Sequence, residues 1–341
     1  MERMLKKLDP TEEQKQRMLR GIMEQYTACG EPRKPPRKRW RTAVLAAAIA
    51  CCLITTTAFA AVQLGLDAAF VRFLHPSSDE QKQQLESGAY LVDQTAQNAS
   101  GAVTIKQVVG DSNLVYILME LTAPEGTVLD KARYRYADFD LDLGEDMRGM
   151  RSTGFIKLED ENGADNQISL IMEIMTDRSL AGQKARLTLS DLQGADAFPG
   201  EFETVLAGEW QVSFPLDFTD CSTQYEVNRA MTMLGEAATV RSVTVSPIAI
   251  TLRVDSPALR QIYAENHRWQ EVAPNEYLDD FPITIHYADG TTETTKIFNG
   301  LTNADYLSGE LLTIKTFENV INDKAIRSIT FFDEQIELTQ P

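Results

Sequence analysis

The chain has 341 residues, with 33 Lys and Arg against 50 Asp and Glu, and a net charge of −17. So acidic a balance argues against nucleic acid as a direct partner, because phosphates need a basic surface. Four cysteines and three histidines, with no His or Cys neighbours at ligand spacing, exclude a zinc motif.

Asp9-Pro10-Thr11-Glu12 reads as a helix start. Asp9 caps, Pro10 suits the first helical position, and Glu12 and Glu13 favour the positive end of the helix dipole. The spacing predicts a helix to about Tyr26, ending before Gly30. Met18, Leu19, Ile22, Met23 and Tyr26 recur at three and four residues and so share one face. Two methionines suit an adaptable binding surface. That face meets a cytoplasmic partner, a second copy of itself, or the inner leaflet of a membrane, and these readings stay open.

Residues 31–41 carry three prolines and six basic residues and read as a stiff linker. Thr42 to Leu66 then contains no charge. A bilayer core needs about 20 apolar residues in helical form. The preceding Lys and Arg should stay in the cytoplasm, with Trp40 at headgroup level. A transmembrane helix is therefore predicted over residues 42–64. Ala58-Phe59-Ala60 also fits a signal-peptidase site, but about forty residues precede the apolar run, which favours an uncleaved anchor. Either way the chain after Asp67 leaves the cytoplasm. Charge fits this partition: residues 1–41 carry 12 Lys and Arg against 6 Asp and Glu, net +6, which leaves −23 for the rest. Only Cys221 falls in the outer part, so no internal disulfide can form there.

Asp67 to Leu91 reads as helical, with an apolar patch at Phe70, Phe73 and Leu74, a break at His75-Pro76, and Ser77 or Ser78 capping a second turn from Asp79. After Ala96 the pattern becomes short period-two runs. Val103 to Val109 and Leu114 to Leu121 form a hairpin around Gly110-Asp111-Ser112-Asn113, and Phe155 to Leu158 and Ile168 to Met175 form a second. Further strands are predicted at Lys184 to Leu189, Trp210 to Phe214, Thr239 to Val245, Ile248 to Val254, Ile283 to Tyr287, Thr291 to Ile297, Leu311 to Phe317 and Ser328 to Phe332. Asp289-Gly290 marks a tight hairpin. The fold class expected is a mainly β ectodomain of two β-sandwich-like domains, with a short cytoplasmic helix and one transmembrane helix. The divisions are 1–41, 42–64, 65–215 and 216–341.

Asp138, Asp140 and Asp142 invite a calcium reading, but the loop's sixth position is Leu143 and its twelfth Gly149, where Gly and Glu are needed. Arg135, Ala137, Phe139, Leu141 and Leu143 alternate with the carboxylates, so a strand with an acidic outer and a mostly apolar inner face is expected. No nucleophile elbow, dinucleotide fingerprint or phosphate loop occurs. His286, alternating with Ile283 and Ile285, reads as solvated rather than catalytic. Asn98-Ala99-Ser100 matches a glycosylation acceptor by letter only. No catalytic residue, cofactor or metal site is expected, and an extracellular hydrolase is the weakest reading.

Pro10-Thr11-Glu12-Glu13-Gln14-Lys15 before a short helix, the basic flank and Ala-rich span, and the segment Val115 to Leu129 (VYILMELTAPEGTVL) resemble a family of uncharacterised single-pass bacterial membrane proteins. These carry an extracytoplasmic domain of unknown function and are often encoded beside extracytoplasmic-function sigma factors. Phe281 to Gly290 (FPITIHYADG) resembles the second β-domain of such proteins. The resemblance implies an anti-sigma-like regulator or envelope sensor. Taken with the uncharged span and the apolar stripe, three partners are expected: the lipid bilayer, a cytoplasmic sigma factor at Met18, Leu19, Ile22, Met23 and Tyr26, and an unknown envelope ligand outside. The inner segment lacks the His and paired Cys of zinc-binding anti-sigma domains. The alternative is a structural or adhesive cell-envelope protein whose inner tail only anchors it.

Overall fold

A computed structural model describes residues 65–144, 150–159, 165–197, 200–233, 236–259, 282–295, 299–305, 307–322 and 325–338. All belong to one compact unit of the chain. The expected transmembrane span and inner helix lie outside the described residues. Among those described, no helix is long and apolar enough to cross a membrane, which says nothing of membrane β-barrels.

The described part is mainly β: two helices and four sheets, with every strand pair antiparallel. The helices expected over 67–91 are α1 (Ala68–Leu74), capped by the Asp67 side chain, and α2 (Asp79–Gly88), capped by Ser78. His75 takes a left-handed φ of 50° and ends α1 just before Pro76, which cannot extend a helix.

The first half builds β1 (Tyr90–Asn98), β2 (Gly101–Gly110), β3 (Leu114–Thr122), β4 (Arg133–Asp142), β5 (Met150–Lys157), β6 (Gln167–Thr176), β7 (Lys184–Ala195) and β8 (Glu203–Pro215). One sheet runs β1-β2-β3-β6-β5, the other β4-β7-β8. They face each other across a core that includes Ile117, Met172, Leu187 and Trp210. The second half builds β9 (Thr223–Met233), β10 (Glu236–Val245), β11 (Ala249–Asp255), β12 (Thr284–Tyr287), β13 (Thr292–Thr294), β14 (Gly300–Asp305), β15 (Glu310–Thr316), β16 (Ile326–Phe331) and β17 (Glu334–Glu337). Its sheets run β14-β15-β11-β10-β9 and β13-β12-β16-β17, around Val240, Leu252, Ile285 and Ile329.

The two halves repeat one topology. In each, three consecutive strands form a meander whose third strand pairs with a later hairpin, while the intervening and final strands form the facing sheet. Adding 135 to a residue number carries β1–β3 onto β9–β11. The bulge between Leu91 and Gln94 maps onto that between Glu226 and Arg229, and the break at Ile105/Gln107 onto Val240/Ser242. Asp93 and Asn228, both at φ 48°, occupy equivalent places. Glycines at positive φ open one strand in each half where another backbone passes close. A Cβ would lie 2.3 Å from the Thr122 carbonyl oxygen at Gly101 and 2.0 Å from that of Ile314 at Gly300.

A third apolar cluster joins the halves. Phe70 and Leu74 of α1 and Leu85 of α2 pack against the outer face of the first sheet (Leu114, Leu118, Ile171) and against Ala249, Leu312 and Ile314 of the second half. The first sheet is thus covered on both faces, which is why β3 reads as a continuous apolar run. Leu66, the last residue of the uncharged run, is buried in this cluster, so that run extends past any span.

Three expectations need correction. The segment after α2 is already strand from Tyr90, not helix to Leu91. In β4 the alternation changes phase: Tyr134 and Tyr136 point inward, then Leu141 and Leu143, while Arg135 and Ala137 of the expected inner face are exposed. His286 is half-buried, and its ring Nε2 is 2.8 Å from Thr330 Oγ1, because β16 supplies a polar partner beside it.

Because α1 and α2 complete the third cluster and β1 supplies Val92 and Ala96 to the first core, a fragment of residues 65–341 should keep its β-type circular dichroism in chelator and reductant. A fragment cut at residue 96 severs β1 and should aggregate or melt at markedly lower temperature. Equal stability of the two would mean that the helices are dispensable.

Candidate functional site

A cleft of about 680 Å³ opens where α1, the first sheet and the second half meet. Phe73, Leu74 and His75 line one side, Tyr116, Ile156 and Glu173 of the first sheet form the floor, and Gly300 with residues 316–320 closes the other side. Strand register puts Tyr116 on β3 and Gly154 on β5 directly opposite Glu173 on β6, so all three share one face. Tyr116 donates its hydroxyl to the Glu173 carboxylate. Burial pushes the Glu173 carboxyl above its usual range, and the Tyr116 hydrogen bond pulls it back. Burial, and then the Glu173 charge, push the phenol well above its own. Phe73 stands edge-on to Tyr116, with centroids 5.1 Å apart and planes at 86°. The arrangement can hold a small molecule by apolar contact and one half-buried carboxylate.

A second polar group sits at the junction of the halves. Asp111, in the β2–β3 turn, is fully buried and accepts hydrogen bonds from the backbone N–H groups of Asn113 and Leu114, both 2.7 Å. Ser246, its equivalent in the β10–β11 turn, accepts from the N–H groups of Ile248 and Ala249 and donates its own hydroxyl to Asp111. Beside them Ser112 donates to Asp220 at 2.6 Å. Burial pushes the Asp111 carboxyl up to about 6 against the pull of its three donors. Because the folded value lies above the ordinary one, the native state takes up this proton first. Its stabilising contribution is complete below about pH 4 and is lost as pH rises through 6. A gap of about two units corresponds to about 2–3 kcal/mol. The denaturation midpoint of the 65–341 fragment should therefore rise from pH 7.5 to 5, and Asp111→Asn should remove most of that rise. A midpoint that falls over this interval in the wild type contradicts the assignment.

Met18, Leu19, Ile22, Met23 and Tyr26, the partner face read from the sequence, lie outside the described residues. Among the described residues, no group of three or more His, Cys, Asp and Glu converges on a metal position. Asp142 of the acidic strand is instead bound by the Gly144 N–H and by Arg186 at 2.6 Å, which hold its carboxyl below the usual range. Cys221 is half-buried and in no disulfide. Sequence reasoning read Phe73 and Leu74 only as an apolar patch and His75 as a helix break, and gave no cleft residue a site role; the signal of Glu173 was a lone carboxylate inside the apolar run ISLIMEIM.

Fold and cleft together define a mainly β protein of two repeated halves with an acid-floored cleft where they meet. A crystal structure described as that of the conserved domain protein from Bacillus anthracis is similar at a TM-score of 0.51 and 13% identity, over 77% of this chain and 83% of that one. At such identity the likeness concerns the fold alone. No family model and no curated protein matches.

Proposed function

We propose that the chain is a membrane-anchored regulatory protein of the anti-sigma type. Residues 42–64 span the bilayer, the β-rich part stands outside the cell and binds an envelope ligand without catalysis, and the inner helix holds a sigma factor through Met18, Leu19, Ile22, Met23 and Tyr26. The basic flank and uncharged run support the anchor, and the stripe of spaced apolar residues supports the inner partner. The observation that carries the sensing role is the placement of α1. It begins four residues after the proposed span in sequence, and its Phe73, Leu74 and His75 form a wall of the cleft. A ligand there touches the described helix nearest the anchor.

Protease added to intact protoplasts should digest the chain after Asp67 and spare residues 1–41. Residues 1–41 used as bait should then capture a sigma factor from the cytoplasm. Cleavage of the N-terminal segment with protection of the β-rich part would overturn the topology. Bait that retains only lipid would leave a structural or adhesive anchor as the better account.

A further inference from the structure

The cleft is chemically one-sided. Among the described residues lining it are two carboxylates, Glu173 and Glu318, and neither Lys nor Arg; His75 is the one basic side chain. Glu173 sits among apolar neighbours with one phenol donor, Tyr116. A carboxylate so placed has given up much of its hydration for a single hydrogen bond, and a cation brought beside it replaces that lost stabilisation. Gly154, opposite Glu173, leaves the approach open: a Cβ built there meets nothing within 4 Å. Ile156, two residues on, is 36% exposed although apolar. Phe73, Ile156 and Phe317 supply apolar and aromatic walls, which suit an alkyl or aryl body and favour a positive charge over a ring face.

We infer that this cleft is a binding site for an organic cation, an ammonium or guanidinium group carried on an apolar body. The cationic head sits against Glu173 and the body lies between Phe73 and Ile156. The inference rests on reading the cleft as the external ligand site and adds to it the class of ligand.

The test uses the full chain in lipid nanodiscs. Phenethylammonium is titrated by calorimetry beside its neutral counterpart, 2-phenylethanol, with empty nanodiscs subtracted. Wild type should bind the ammonium at least tenfold more tightly than the alcohol. Glu173→Gln, which keeps the shape and an acceptor for Tyr116, should remove that preference. Gly154→Leu, which adds a bulky side chain opposite Glu173 at a position with ordinary backbone angles and open space, should weaken binding of both at least tenfold while leaving the circular dichroism unchanged. Equal affinity for ammonium and alcohol in the wild type, undiminished ammonium binding by Glu173→Gln, or no binding of the ammonium at all would overturn the assignment. None of these results bears on capture of a sigma factor by residues 1–41, so failure of the ligand class is distinguishable from failure of the regulatory reading.

Discussion

Phe70→Ala should cost the 65–341 fragment about 3–5 kcal/mol, the range for removing a fully buried Phe. Phe70 is 0% exposed and sits in the cluster where α1 meets both halves of the molecule. The lost ring leaves a void between faces built on different sheets, and neither sheet can collapse into it without breaking strand pairing. Phe70→Leu, which keeps most of the volume, should cost less than half as much. Leu307, 84% exposed, is the control: Leu307→Ser should move stability by no more than about 0.5 kcal/mol. Urea midpoints by circular dichroism measure all three. A Phe70→Ala loss under about 1 kcal/mol would mean that α1 only rests on a fold that stands without it.

The largest expected effect on function lies at the other end of the chain. On the proposed regulatory reading, Leu19→Asp combined with Ile22→Asp should weaken capture of the proposed sigma factor by more than a hundredfold. Each apolar side chain contributes about 1.5–3 kcal/mol when buried in an interface. Each new carboxylate adds a desolvation cost if the complex still forms, and every 1.4 kcal/mol is a factor of ten. Lys15→Ala should do little, since exposed ion pairs are worth under about 1 kcal/mol. Pull-down with the two variants reads the difference, and a sigma-dependent reporter should rise in cells carrying the double variant. Equal capture by wild type and double variant would return the helix to the inner leaflet as an unpartnered tail.

The strands that the sequence reveals and those it hides differ in where they sit. Val103 to Val109, Leu114 to Leu121 and Ile248 to Val254 lie inside sheets, and their apolar pattern announces them. The strands that went unread, β1, β9, β14 and β17, are all edge strands. An edge strand turns a polar face to water and carries bulges such as those at Asp93 and Asn228, so its periodicity is weak. The phase change in β4 hid for a similar reason, because simple alternation cannot anticipate a register break. Of the cleft, the aromatic wall on α1 was legible as a local patch. Its floor was not: pairing Tyr116, Gly154 and Glu173 needs three strands brought side by side, and no spacing within one segment encodes that.

The hydrogen bond from Ser246 to Asp111 joins residues 135 apart, the same interval that superposes one half of the molecule on the other. Like therefore meets like, which is the signature of an isologous two-fold contact. Written into one polypeptide, such a pair never depends on protein concentration to form. It is also free to diverge on one side only. Position 111 keeps a carboxylate and position 246 a hydroxyl, a carboxylate–hydroxyl pairing that needs a different residue on each side.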